Sequence, residues 1–248
     1  VMLGHDNTRA EQLEAENRAA ALFDMPAAQP DHPAGYTPVL LPVMAAMLKG
    51  RRRILDIFGG EGGIFALQHW LGEGVEIQAI EIEPKFAAMH PRTTLGNALH
   101  LPWPDNYFDA IFTSPTYGNR FTDKYRPGAD CFSYAQAIKG ELQPDNTGAM
   151  RWNPNGGGYQ VTHVLAYAEA RRVLCRGGLF GLNMKDHYKG KELQNVTDWH
   201  VNTLEALGFA VVQRRKVKTP SLRYGENHEL RVEYEHVIQF ELQSKEVA

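Results

Sequence analysis

Apolar and polar positions alternate along this chain in blocks whose lengths predict strands and helices in turn. Short apolar runs at 53–58, 76–82, 93–96 and 110–113 read as strands, with helices at 64–71 and 84–90 between them. Upstream, residues 8–23 predict an alanine-rich helix with Glu/Arg pairs, N-capped by Asn7 or Thr8. A proline-rich linker over 26–38 follows, then a short helix over 39–49. Downstream come a helix at 161–174, a turn at Arg176-Gly177-Gly178 and a strand at 179–184. A helix at 196–207 closed by Gly208 precedes two strands, 210–218 and 232–242, around the polar loop 219–231. Strands separated by helices of this length predict an α/β fold: a doubly wound, mostly parallel sheet with helices on both faces and an antiparallel C-terminal strand.

Residues 118–158 break the alternation. They are rich in Gly, Pro, Asn, Arg and aromatics and end in Asn153-Pro154-Asn155-Gly156-Gly157-Gly158. A stretch this long without a regular pattern reads as a functional or mobile insertion, with a structural excursion covering the sheet as the alternative. The expected organisation is an N-terminal helix and linker over 1–35, then one domain over 36–248 that carries the insertion. A chain of 248 residues supports one full α/β domain and is short for two.

Composition narrows the class only a little. The chain is 43% hydrophobic and 22% charged, as expected of a soluble globular protein. Cys131 and Cys175 lie far apart with no CxxC spacing, so neither a disulfide framework nor a zinc site is expected. The histidines, His228 and His236 among them, show no metal-ligand spacing and read as surface or packed residues. No apolar run is long enough to span a membrane and no signal-like pattern opens the chain, so a cytoplasmic protein is expected. The net charge of −3 carries no overall basic signal, but its distribution is uneven. The first 35 residues are acidic, whereas Arg171, Arg172, Arg176, Lys185, Lys189, Lys191 and the cluster Arg214-Arg215-Lys216-Val217-Lys218 make the later part basic.

Candidate chemistry begins at the turn Asp56-Ile57-Phe58-Gly59-Gly60-Glu61-Gly62-Gly63 after the first strand. Gly60 and Gly62 let the backbone approach a ligand closely, and Asp56 can accept bonds from a cationic group. The turn lacks both the GxGxxG spacing and the Lys-Ser/Thr of a phosphate loop, which disfavours dinucleotides and triphosphates. Glu81 ends the second strand roughly 20 residues later, where ribose hydroxyls of a nucleoside are held. Glu83 reads as a charge at a helix N-terminus. Asn97, in Gly96-Asn97-Ala98-Leu99, can give and accept bonds at an adenine edge. Together these point to a nucleoside-bearing cofactor. The tetrapeptide Ser114-Pro115-Thr116-Tyr117, after the apolar run Ala110-Ile111-Phe112, suits a planar amine: a hydroxyl and a carbonyl accept N–H bonds, and a ring stacks.

As an ordered set, the motifs Asp-x-Phe-x-Gly-x-Gly, Ile-Glu-Ile-Glu-Pro, Gly-Asn-Ala-x-x-Leu-Pro and Thr-Ser-Pro-x-Tyr resemble the S-adenosylmethionine-dependent amino-methyltransferases of DNA. The resemblance covers roughly residues 33–118 and implies a Rossmann-like class I methyltransferase fold. It places Asp56, Phe58, Gly60 and Gly62 along the cofactor, Glu81 on the ribose and Asn97 near adenine. Tyr36 and Thr37, with Pro38, match the family motif that closes over the methionine end. Ser114, Pro115 and Tyr117 become the amine-binding residues, acting without a metal; Thr116 departs from the family's second proline. A serine in first position leans towards cytosine N4, with adenine N6 next. Gly118-Asn119-Arg120 also resembles RNA guanine-N2 methyltransferases, so an RNA substrate stays open, as does a catalytically silent nucleic-acid-binding relative. For contact with nucleic acid the candidates are Arg120, Lys124, Arg126, Arg151 and Trp152, interleaved with Tyr125, Phe132 and Tyr134, and Arg223 in the loop 221–228.

Overall fold

A computed structural model describes residues 36–117, 142–189, 191–219 and 228–243. The expected helix over 8–23, most of the linker and the first part of the insertion lie outside these residues. Nine strands are described: β1 (Arg53–Asp56), β2 (Glu76–Glu81), β3 (Thr93–Leu95), β4 (Phe108–Thr113), β5 (Leu174–Met184), β6 (His187–Lys189), β7 (Glu192–Gln194), β8 (Phe209–Lys218) and β9 (Tyr234–Leu242). Seven form one sheet in the order β3-β2-β1-β4-β5-β9-β8, and β6 and β7 form a separate antiparallel hairpin. The first five pair in parallel, while β9 runs antiparallel to both β5 and β8, so β8 points the same way as β5. The doubly wound α/β fold with an antiparallel C-terminal strand is therefore present.

The helices are α1 (Leu41–Leu48), α2 (Gln68–Leu71), α3 (Pro84–Ala87), α4 (Gly158–Val173) and α5 (Val196–Ala206). Successive strand residues divide between the two faces of the sheet, as the pleat requires. Ile54, Ile77, Phe112 and Val237 pack against Leu41, Met44 and Leu48 of α1. Leu55, Ile111, Phe180 and Ile238 pack against Tyr167 and Ala170 of α4 and Leu204 of α5. Burial on both faces is why the central strands read as near-continuous apolar runs.

Three local features differ from the sequence expectation. Residues Pro38–Leu40 and Gly63–Leu67 are 3-10 turns that lead into α1 and α2. The latter turn starts from Gly62, whose φ of 86° no α-helical residue adopts. β5 begins at Leu174 and runs through the expected Arg176-Gly177-Gly178 turn, and its register against β4 slips between Phe108 and Ala110. The β6–β7 hairpin was not expected, because each of its strands has three residues and no apolar alternation. Gly208, with φ of 89°, closes α5 as expected.

At the sheet centre Gly181 of β5 lies opposite Phe112 of β4. A Cβ on Gly181 would sit 2.3 Å from Phe112 Cδ2, and that ring is fully buried. Gly181→Ala is expected to lower unfolding stability by about 1–3 kcal/mol through overpacking. Urea denaturation checks this, and an unchanged midpoint would show that the Phe112 ring yields freely.

Candidate active site

The strand order reverses direction between β1 and β4, and in sheets of this kind ligands bind in the crevice at the carboxyl ends of the strands flanking that point. The glycine turn leaves β1 and the tetrapeptide leaves β4, so the two motifs meet across this crevice. Asp56, the last residue of β1, joins them. Its Oδ1 accepts from the Thr113 hydroxyl at 2.7 Å and the Phe58 N–H at 3.0 Å. Its Oδ2 accepts from the Tyr36 hydroxyl at 2.8 Å. The carboxyl is 1% exposed, and burial pushes its pKa up to about 6 against the pull of these three donors. Tyr36 also lies 5.9 Å from the Phe112 ring, centroid to centroid.

Around the turn, Gly60 donates its N–H to Glu81 Oε2 at 2.8 Å, and Glu83 donates its own to Glu81 Oε1 at the same distance. Glu81 is partly exposed, and burial raises its pKa. Each oxygen keeps a lone pair for a further donor such as a ribose hydroxyl. A Cβ on Gly62 would meet Phe65 at 2.9 Å and His90 at 3.0 Å, so the turn is packed from beneath. Asn97 donates from Nδ2 to Asp145 Oδ2 at 2.8 Å, while its Oδ1 accepts from the Leu99 N–H at 3.0 Å. Glu83 stands at the N-cap of α3, as expected of a helix-start charge, and its side chain has a further task. Its Oε1 accepts from the Gln143 N–H at 2.8 Å and Asn146 Nδ2 at 2.6 Å, tying the later part of the insertion to the end of β2.

The tetrapeptide is held from both sides. Ser114 Oγ accepts from Asn183 Nδ2 of β5 at 3.3 Å, and the same amide donates to Glu235 Oε2 of β9 at 2.8 Å. Glu235 Oε1 accepts from the Thr37 hydroxyl at 3.3 Å. Asn183 and Glu235 are 2% and 7% exposed, and Asn183 Oδ1 has no partner among the described residues. Pro115 is buried. Tyr117 is half-buried, and burial raises its pKa well above the usual value.

Thr116, which stands where a second proline was anticipated, is fixed by other means. Its hydroxyl bonds the Thr147 hydroxyl at 2.9 Å, and its carbonyl accepts from the Tyr159 hydroxyl at 2.6 Å. Tyr159 in turn lies 2.9 Å from His200 Nε2, and Tyr167 lies 2.7 Å from His200 Nδ1. Because Tyr159 gives its proton to the carbonyl, His200 must carry its own on Nε2, leaving Nδ1 to accept from Tyr167. Burial holds the His200 pKa well below the usual value, which suits this neutral ring. His163 is likewise neutral, pushed down to about 4 by burial. It donates from Nδ1 to the Tyr159 carbonyl at 2.7 Å and sits 5.4 Å from the Phe58 ring.

The structure thus places Asp56, Phe58, Gly60, Gly62, Glu81, Asn97, Ser114, Pro115 and Tyr117 at or just beyond the carboxyl ends of the parallel strands, with Tyr36 and Thr37 bonded to Asp56 and Glu235. Of the nucleic-acid candidates, Arg151 is exposed, and Arg120, Lys124, Arg126 and Arg223 lie outside the described residues. Trp152 is packed edge-on against Tyr159 and Trp199, at 5.8 and 5.7 Å. His236 is buried as anticipated. Sequence reasoning missed Thr113, Asn183, Glu235 and the Tyr159–His200–Tyr167 chain. Among the described residues no group of three or more His, Cys, Asp or Glu could hold a metal, and no helix is long and apolar enough to cross a membrane.

No family model and no curated protein matches the chain. Solved structures do share its fold. A methyltransferase from Pyrococcus furiosus superposes with a TM-score of 0.57 at 18% identity, over 96% of this chain and 98% of that one. The [4+2]-cyclase SpnF gives 0.52 at 14% identity, over 97% and 95%. An S-adenosylmethionine-dependent methyltransferase from Methanosarcina mazei gives 0.50 at 12% identity, over 82% and 98%. Identities this low establish the Rossmann-like fold of class I methyltransferases, and the cyclase among them illustrates that the fold alone does not fix the reaction.

Asp56 makes stability depend on pH. The folded carboxyl stays protonated up to about 6, whereas its ordinary value is 3.8, so between these values the folded chain binds the extra proton. The stability this contributes is complete below the lower value and is lost as pH rises through the higher one. Asp56→Asn keeps an acceptor for Thr113 and Phe58 and lacks the ionisation. From about pH 4 to about pH 7 the variant should therefore gain on the order of 2–3 kcal/mol relative to the unaltered chain. Urea titrations at both pH values read this, and a pH-independent difference would refute it.

Proposed function

We propose that this protein transfers a methyl group from S-adenosylmethionine to an exocyclic amine of a DNA base, with cytosine N4 first and adenine N6 next. One observation carries the reading: an amine-accepting Ser-Pro pair at the end of β4 faces a glycine turn and a ribose-suited carboxylate across the switch point. The donor set fits the cofactor. Glu81 retains lone pairs for ribose hydroxyls, Asn97 and its partner Asp145 offer polar groups to an adenine, and Tyr36 and Thr37 lie on the side where the methionine end would be covered. When bound, the cofactor supplies an electrophilic methyl on a sulfonium sulfur.

The chain's own residues then have a definite task. The lone pair of an aromatic amine is delocalised into its ring. Hydrogen bonds from its N–H groups to Ser114 Oγ and the Pro115 carbonyl favour a pyramidal nitrogen and localise that pair. The nitrogen forms its bond to the methyl carbon as the carbon–sulfur bond breaks, the electron pair returning to sulfur, and the nitrogen afterwards releases a proton. This is catalysis by positioning and electrostatics. Asn183 donates to Ser114 Oγ, which leaves the hydroxyl oxygen's other lone pair for the amine. A base in a duplex must leave the helix to reach the crevice. The ring of Tyr117 is the stacking candidate.

Tritiated methyl incorporation into DNA and into transfer RNA tests the reading. Label should enter DNA, and label only in RNA would replace DNA with RNA as the substrate. Ser114→Ala should cut incorporation by about a hundredfold or more while calorimetric affinity for the cofactor holds. An active Ser114→Ala variant would contradict the mechanism. Glu81→Ala should weaken cofactor binding by about tenfold to a hundredfold, and an unchanged calorimetric affinity would remove Glu81 from the site.

A further inference from the structure

The basic residues of the C-terminal half fall into two groups. Some are spent inside the fold. The Arg172 guanidinium donates to the Leu101 and Trp103 carbonyls at 2.9 Å, to Asp105 at 2.9 Å and to Glu169 at 2.8 Å. Arg214 is paired with Asp198 of α5 at 2.7 Å and also donates to His236 Nδ1 at 3.1 Å. Lys185 is half-buried with Nζ 3.1 Å from the Thr219 hydroxyl. Lys216 and Lys218 on β8, and Lys189 and Lys191 on the β6–β7 hairpin, are exposed instead, with no acidic partner among the described residues.

Sheet register puts Lys216 and Lys218 on one face, and the hairpin that carries Lys189, opposite Glu192, and Lys191 is rooted beside it. Residues directly opposite in an antiparallel pair share a face. Lys216 lies opposite His236 and Lys218 opposite Tyr234, so both lysines and the Tyr234 ring stand on the face that carries α5. Lys216 Nζ is 4.3 Å from the Tyr234 ring centroid. The hairpin springs from the same place, since Asp186 at its root lies 3.9 Å from His236 and accepts from the Thr197 N–H at the start of α5 at 2.8 Å.

Because β8 points the same way as β4 and β5, Lys216 and Lys218 lie toward the carboxyl edge of the sheet, the edge that carries Ser114. β8 is three places from β4 in the sheet, about 14 Å at about 4.8 Å per strand spacing. Each nucleotide of one strand rises about 3.4 Å along the axis of a duplex, so this distance measured along that axis spans roughly four nucleotides.

We propose that edge strand β8 and the β6–β7 hairpin form the rail that holds the phosphate backbone of the substrate, with Lys216, Lys218, Lys189 and Lys191 neutralising phosphates a few nucleotides from the base presented to Ser114. This rests on the reading that the substrate is a nucleic acid. It adds a docking surface distinct from the irregular segment after the tetrapeptide. A strip of solvated lysines also discourages edge-to-edge association of strands, and that role would need no nucleic acid.

Binding of a fluorescein-labelled DNA duplex, followed between about 50 and 200 mM salt, separates these roles. Lys216→Gln/Lys218→Gln should flatten the dependence of log affinity on log salt by about 1.8, or about 0.9 for each phosphate no longer neutralised. Calorimetric affinity for S-adenosylmethionine should not change. An unchanged slope in a variant that still methylates DNA would overturn the rail and leave the proposed activity standing, as would an unchanged slope with new self-association on sedimentation. Absence of salt-sensitive DNA binding by the unaltered chain would overturn the rail together with the nucleic-acid reading.

Discussion

Everything at the crevice depends on one buried carboxyl. Asp56 ends β1, yet its three hydrogen bonds reach the segment before α1 through Tyr36, the glycine turn through the Phe58 N–H, and β4 through Thr113. These are the pieces that must hold a fixed relation if a cofactor in the turn is to face an acceptor at the tetrapeptide. A buried acid is costly unless its partners satisfy it, so its presence strongly constrains the local backbone. A second link runs from Thr37 through Glu235 and Asn183 to Ser114, coupling the same N-terminal segment to the tetrapeptide. The two links fix both ends of the crevice with respect to Tyr36 and Thr37.

The threonine at position 116 takes on its meaning in this setting. A proline would stiffen the loop covalently. Thr116 is stiffened by its surroundings, through Thr147 on one side and the ordered Tyr159–His200–Tyr167 chain on the other. Each link in that chain has a defined donor and acceptor, and both histidines beside it are neutral. The Thr116 carbonyl, one peptide beyond Pro115, is thus held by a hydrogen-bond relay anchored in α4 and α5.

Much of the architecture was legible because strands buried on both faces are unbroken apolar runs, and the turns between them carry glycine or proline. The polar positions at strand ends were legible for the same reason: Asp56 and Glu81 follow directly on apolar runs, and Ser114 follows one after Thr113. Asn183 and Glu235 were not, since each is a single polar residue inside a strand, and only the insertion of β9 next to β5 brings them under Ser114. Glu83 was legible as a helix-start residue, but its side-chain partners, Gln143 and Asn146, lie 60 and 63 residues away within the insertion. Trp152, expected as a stacking platform, packs edge-on against Tyr159 and Trp199 and stays partly exposed. The basic run on β8 could be seen in sequence, but a strand divides it between two faces and Asp198 neutralises one member, which only the sheet register reveals.

The central claim is that an electrophilic methyl reaches an exocyclic nitrogen of a DNA base. Mass spectrometry of nucleosides digested from DNA incubated with the protein and methyl-deuterated S-adenosylmethionine tests it most directly. The account predicts one deuteromethylated nucleoside whose label resides on the exocyclic nitrogen. Label on a ring carbon, on an oxygen, or on no nucleoside at all would contradict it.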